Sequence, residues 1–284
     1  MTVLVEQLAE SVGAEVSGVD LSRPLDAGDL SAIRKAHLDH SVVVFRDQRL
    51  TPEQHIAFSS HFGDFEIHVM AQFLLPGHPE VLVISNDKND AGEAIGIEDA
   101  GRYWHSDLSY LKEPSLGSML YAVEVPPEGG NTMFAGMYAA YDALPGARRE
   151  ELAGLRATHH FASRWLREKD KAGVRPPMSD EQLAQTPPVD HPIVRTHPET
   201  GRKSIFAGGF CTGVAGMGEE EGLAFVDELT AFSAQPQFTY THEWRVGDLV
   251  FWDNRCAMHH ATDYDSSKYR RHMLRTTIKG DTPV

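Results

Sequence analysis

Apolar residues along this chain cluster mostly in short β-branched or aromatic runs, and only four stretches carry the 3.6-residue period of a helix. Thr51-Pro52-Glu53-Gln54 offers a hydroxyl at an N-cap, proline at the first helical position and glutamine at the capping-box position. A helix is therefore expected through the following HIAFSSHFG. Similar patterns predict helices near 29–39, over 137–153 (interrupted by Pro145) and over 219–233. Strands are expected at 41–47, 81–85, 118–125, 157–163, 192–197, 203–209, 238–244, 248–253 and 270–278. Turn chemistry separates many of them: PPEGGN at 126–131, HPETGR at 197–202 and VGD at 246–248. Many short strands, few helices and no βαβ alternation predict a mainly β fold, a sandwich or jelly roll flanked by helices. No repeat or low-complexity linker divides the chain, so 1–284 is read as one domain. The polar, proline-containing stretch 164–190 is either a surface excursion or a flap over a pocket.

Composition narrows the functional classes. The 284 residues carry a net charge of −15, 15 histidines and 2 cysteines, with 41% hydrophobic residues. A chain of this length buries a sizeable core without disulfides or a structural metal, and Cys211 and Cys256 cannot form a disulfide framework. The start lacks a basic region followed by an apolar core, and nowhere do roughly 18 apolar residues run together, so a cytoplasmic protein is expected. The acidic surplus makes nucleic acid and anionic membranes poor partners. The histidine count directs attention to metal chemistry.

Trp104-His105-Ser106-Asp107 precedes a strand-rich region. In extended chain, residues two apart share a face, so His105 and Asp107 can offer an imidazole and a carboxylate to one ion. Chance alone supplies about two His-x-Asp/Glu matches in such a composition, and context must choose among them. His37/Asp39 lies in a predicted helix, where the two side chains diverge. His78/Glu80 and His197/Glu199 enclose prolines and read as turns. A third ligand is expected from the segment Phe251 to His260, at His259 or His260. Two histidines and one carboxylate with open positions suit a non-haem iron(II) oxygenase, although zinc hydrolases use similar triads.

About a dozen residues further on, Tyr269 to Arg275 reads as a strand with Arg271, Met273 and Arg275 on one face and Arg270, His272 and Leu274 on the other. Two inward guanidiniums are costly to bury unless each meets an anion. The pair therefore points to an anionic co-substrate and an anionic substrate; an exposed basic edge strand is the plainer alternative.

Taken with HSVVVFRDQRLTPEQHIAFSSHFG, SMLYAVEVPPEGGNTMFAGMYAAYDALP, HPIVRTHPETGRKSIF and GDLVFWDNRCAMHH, these blocks resemble the taurine / 2,4-dichlorophenoxyacetate dioxygenase family of Fe(II)/2-oxoglutarate-dependent oxygenases. The resemblance implies a double-stranded β-helix holding iron through His105, Asp107 and His259, the last being four residues after the arginine of the WDNR block. It also implies 2-oxoglutarate binding by Arg271 and by Thr132 of the Gly-Gly-x-Thr turn. Arg275 matches the position that meets the acidic group of the prime substrate, and His68 matches a substrate-pocket histidine. O2 is the second co-substrate, succinate and CO2 are the co-products, and dimers or tetramers are the family's habit.

Two departures bear on the substrate. Taurine-type enzymes have a tyrosine where this chain has Ala71, and an asparagine where it has Gly101. Together with WHSD, WDNRC and the PPV ahead of VRTH, they favour an aryloxyalkanoate-like carboxylic acid over taurine or another sulfonate. Two alternatives remain at this stage: a zinc-dependent jelly-roll hydrolase, and a non-enzymatic jelly roll that binds small acids.

Overall fold

The computed structural model describes residues 3–98, 100–163 and 179–284. Its largest sheet has eight strands, in the order Leu4–Gln7, Ala14–Ser17, Val42–Phe45, Leu249–Asp253, Gly117–Glu124, His272–Ile278, His78–Ser85 and Leu74–Leu75. All neighbours are antiparallel except Ala14–Ser17 with Val42–Phe45. A smaller sheet, Thr239–His242, Thr132–Gly136 and Ala257–Ala261, faces it. Between the two lies a core in which Val250, Trp252, Leu120 and Met273 from the large sheet meet Phe134 and Ala257 from the small one. This is the double-stranded β-helix expected from the sequence.

The outer faces are covered as well, which explains strands that are apolar throughout instead of alternating. Val42–Phe45 is buried at every position. Val44 faces the inter-sheet core, while Val43 and Phe45 pack with Ile33, Phe58 and Phe62 beneath two helices, Ala27–His40 and Pro52–Ser59. On the far side of the small sheet, Met137, Ala140, Val226 and Leu229 cover Ala135 and Met258. Those residues belong to the helices Met137–Ala143 and Glu219–Ser233.

Local chemistry sets the helix limits. Thr51 accepts from the Gln54 N–H and the Gln54 side chain returns to the Thr51 N–H, the capping box expected from the sequence. The helix Ala27–His40 starts at the Asp26 cap and ends at Ser41 in a left-handed conformation. The helix expected over 137–153 is two, Met137–Ala143 and Gly146–Leu152. Leu144, ahead of Pro145, is driven to an extended ψ of 139°.

Other expectations need correction. His78 and Glu80 do not form a turn but open the strand His78–Ser85, with Pro79 tolerated in its first residues, outside the central ladder. The run 203–209 is a strand only to Ile205. Of the stretch 164–190, residues 164–178 lie outside those described; the rest supplies the helix Asp180–Gln185 and the strand Val189–Pro192.

Candidate metal centre

His105 lies in a non-strand segment that makes a single antiparallel bridge to His259, with His105 N to His259 O at 3.0 Å and His259 N to His105 O at 2.8 Å. This backbone pairing brings a loop residue opposite a strand residue 154 positions away. Asp107 follows in a turn fixed from below by Asn254: Asn254 Oδ1 accepts from the Asp107 N–H and the Trp252 indole, while its amide donates to Ser115 and Ser118. The three residues are at most 7% exposed, and one donor atom from each lies within 4.8 Å of the others.

Hydrogen bonding decides which atoms are available. His105 Nδ1–H donates to the Tyr103 carbonyl at 2.8 Å, which leaves the Nε2 lone pair directed at Asp107, 3.7 Å away. His259 Nε2 lies 3.9 Å from Asp107 Oδ2. Burial, then the neighbouring His105, hold the His259 imidazole well below the usual histidine value, so it is a neutral donor. Burial alone would favour a protonated Asp107, but the Arg275 guanidinium holds its carboxyl well below the usual range. Two imidazole nitrogens and one carboxylate, converging in a buried space, fit a divalent metal ion of the iron(II) type.

His260 falls on the opposite side of its strand and tilts against Trp104 at 5.6 Å between ring centroids. It lines a different cavity together with Leu223 and Val226. Alternation along Ala257–Ala261 thus separates the two histidines that the sequence left as alternatives. A second cluster, His197, Asp253 and Cys256, is of another kind. Asp253 accepts from Arg255 Nε at 2.8 Å and Nη2 at 2.6 Å and from His197 at 3.1 Å, so its carboxylate is already neutralised by a guanidinium.

Two cavities adjoin at the triad and share Ile84, Ala100, Gly101, His105 and Arg275. The first reaches Thr132, His259 and Arg271. Arg271 is 7% exposed and forms no ion pair among the described residues; its Nε donates to the Gly130 carbonyl at 3.2 Å. Burial lowers it to about 10, which leaves it charged at neutral pH. Thr132 Oγ1 accepts from the Trp244 indole at 3.0 Å, so its own proton is available to an incoming acceptor. Gly130 has a φ of +63°, and a side chain there would meet the Arg271 Cδ at 3.3 Å. That explains the glycine of the Gly-Gly-x-Thr turn.

The second cavity is mainly apolar and aromatic, with Met70, Leu82, Ile97, Tyr110, Phe161 and Phe210 in its walls and His68 among its lining residues. His68 Nδ1 accepts from the Met70 N–H at 3.2 Å, which puts the ring proton on Nε2. Arg270 and His272 face away and pair with Asp87, as strand alternation predicts. Arg275 lines both cavities, but it also donates to Asp107 Oδ1 at 2.8 Å. That pairing was not foreseen from the sequence, and neither were the supports from Ser118 and Asn254. Asn254 sits inside the WDNR block and was read only as a marker of the resemblance.

Comparison with known proteins agrees with this geometry. The profile of the taurine catabolism dioxygenase TauD, TfdA family matches residues 4–277. An alpha-ketoglutarate-dependent 2,4-dichlorophenoxyacetate dioxygenase of Cupriavidus pinatubonensis is 39% identical, with all of both chains covered. An (S)-phenoxypropionate/alpha-ketoglutarate-dioxygenase of Sphingobium herbicidovorans is 36% identical over 98% of this chain and 95% of its own. Among solved structures, AAD-2 in complex with Mn(II) and N-oxalylglycine superposes with a TM-score of 0.84 at 34% identity, covering 100% of this chain and 99% of that one. With a family profile running almost end to end and relatives matched over their whole length, the chain belongs to the TauD/TfdA family and is an Fe(II)- and 2-oxoglutarate-dependent dioxygenase.

Proposed function

We propose that the enzyme hydroxylates a small aryloxyalkanoate-like carboxylic acid at the carbon beside its carboxylate, while 2-oxoglutarate and O2 become succinate and CO2. One oxygen atom enters the substrate C–H bond and the other enters succinate. If the hydroxylated carbon carries an ether oxygen, the hemiacetal collapses to a phenol and an oxo acid. The observation that carries this reading is the pair of cavities that adjoin at the His105, Asp107 and His259 cluster, each holding a guanidinium.

In this reading His105, Asp107 and His259 hold iron(II), which supplies the O2 activation that no side chain can provide. Arg271, free of protein carboxylates among the described residues, and Thr132 bind the distal carboxylate of 2-oxoglutarate. Arg275 and His68 orient the carboxylate of the prime substrate. The walls formed by Leu82, Ile97, Phe161 and Phe210 take an apolar ring and keep water from the reacting carbon. The names of the relatives support a phenoxy acid: those proteins act on 2,4-dichlorophenoxyacetate and on (S)-phenoxypropionate.

The reading takes the chain as one catalytic domain, cytoplasmic and assembled as a dimer or tetramer. Cys211 and Cys256 are both buried and unpaired, as suits a reducing compartment. No helix among the described residues is long and apolar enough to cross a membrane. The functional test is succinate release from iron-loaded enzyme supplied with 2-oxoglutarate and a panel of acids. Phenoxyacetates should stimulate release above the substrate-free rate and taurine should not; stimulation by taurine alone would overturn the choice of substrate.

A further inference from the structure

Among the polar groups lining the substrate-side cavity, Tyr110 stands out. Its side chain is 2% exposed, yet its hydroxyl forms no hydrogen bond with any described residue. Tyr110 lines the cavity, and a hydroxyl held there without a protein partner is satisfied when an acceptor arrives with the ligand. The ring is held firmly. It tilts against Phe161 at 4.6 Å and meets Phe210 edge-on at 5.0 Å between centroids, so the hydroxyl has little freedom to seek another acceptor.

Its surroundings indicate what that ligand atom is. The cavity walls are otherwise Met70, Leu82, Ile84, Ile97, Leu108 and the two phenylalanines, and the carboxylate of Asp107 is occupied by Ser118 and Arg275. Of the remaining functional groups, the Arg275 guanidinium and the Tyr110 hydroxyl can donate hydrogen bonds to a ligand. Burial pushes the Tyr110 phenol up, so it stays a neutral donor throughout the working pH range. A cavity of donors with apolar walls recognises an anion on an apolar body. A carboxylate that accepts from one guanidinium still has lone pairs to satisfy.

We propose that the Tyr110 hydroxyl is a second donor to the prime substrate's carboxylate, beside Arg275, and that it is a specificity-determining residue of this enzyme. The inference rests on the aryloxyalkanoate reading above and adds a residue that neither the motif blocks nor the metal cluster identified.

The test compares wild-type and Tyr110→Phe enzyme, each loaded with Fe(II) and 2-oxoglutarate without oxygen. Phenoxyacetate and 3-phenylpropionate, which replaces the ether oxygen with a methylene, are titrated against the visible band of the bound 2-oxo acid. Loss of one hydrogen bond to a charged group should raise the dissociation constants of both acids by about ten-fold. In turnover with phenoxyacetate, KM should rise while kcat changes little, because the bond is made in ground and transition states alike. Affinity for 2-oxoglutarate should stay at the wild-type value.

Unchanged affinity for both acids would mean that the hydroxyl serves only ordered water, and would overturn the proposal. A penalty confined to phenoxyacetate would assign Tyr110 to the ether oxygen and overturn it as well, and a parallel loss of 2-oxoglutarate affinity would reduce Tyr110 to a structural role. Failure of the wild-type enzyme to bind either acid or to release succinate with phenoxyacetates would overturn the substrate reading itself and this inference with it.

Discussion

Arg275 donates from Nη1 to Asp107 Oδ1 at 2.8 Å, so the guanidinium assigned to the substrate is also a support of the carboxylate assigned to the metal. Ser118 holds the other oxygen, Oδ2, at 2.7 Å. Arg275 Nε is buried with no described partner, which leaves hydrogen-bonding capacity beyond the Asp107 pair. Arg275→Ala should therefore weaken substrate binding by about 100-fold and iron(II) binding by a smaller factor, about ten-fold. Anaerobic titrations of iron and of substrate separate the two effects. Wild-type iron affinity in the variant would show that the pair does not support the metal site.

The co-substrate assignment makes a separate demand. Arg271 is the buried guanidinium of its cavity and has no protein counter-ion among the described residues. Arg271→Ala should raise the dissociation constant of 2-oxoglutarate by about 100-fold, the loss of a charge-assisted bidentate contact, and leave iron binding near the wild-type level. Monitoring the 2-oxo acid band against 2-oxoglutarate concentration measures it directly.

The two adjacent histidines should behave oppositely. His259→Ala should abolish tight iron(II) binding. His260→Ala, on the other side of the strand against Trp104, should leave it nearly intact. Metal content after desalting reads both outcomes, and the reverse pattern would show that the ligand was assigned to the wrong residue.

Gly101 is constrained twice. Its φ is +71°, and a Cβ would stand 2.9 Å from the His105 Cε1. Gly101→Ala should strain the backbone by roughly 1–2 kcal/mol and displace the imidazole. A loss of about ten-fold in iron affinity is expected from a disturbed ligand orientation. Calorimetric Tm and iron titration on the same preparation distinguish strain alone from a displaced ligand.

Away from the site, His55 gives the fold an acid sensitivity. It is fully buried; its Nε2 meets Thr276 Oγ1 at 3.3 Å, and its Nδ1 makes no hydrogen bond of good geometry among the described residues. Burial lowers it to about 4. Between that value and the ordinary 6.5 the unfolded chain binds the proton and the folded chain does not. Stability is therefore complete above pH 6.5 and is lost as pH falls toward 4, by roughly 3 kcal/mol from this group. His55→Asn should flatten the fall in Tm between pH 7 and pH 5; an unchanged slope would assign the acid sensitivity to other groups.

What the sequence revealed of all this depended on the type of signal. Capping chemistry is local, and the helix at Pro52 was readable from four residues. Strand alternation is local too, and it separated Arg271 and Arg275 from Arg270 and His272. Motif blocks pointed to Asp107 and His259 as members of one set, and the structure brings them together. What stayed hidden was relational. The Arg275–Asp107 pair spans 168 residues, and Asn254 reaches Ser115 and Ser118 across more than 130. The open end of the Tyr110 hydroxyl is visible only when the surrounding walls are in place. Short strands such as Thr132–Gly136 were missed because they follow glycine-rich turns and lack a β-branched run.

Iron held by His105, Asp107 and His259 beside a 2-oxoglutarate site has a spectroscopic signature. Fe(II) and then 2-oxoglutarate are added to the folded protein without oxygen. A visible metal-to-ligand charge-transfer band should appear with the wild-type chain and be absent from His259→Ala. A folded, iron-loaded wild-type protein that shows no such band would contradict the account.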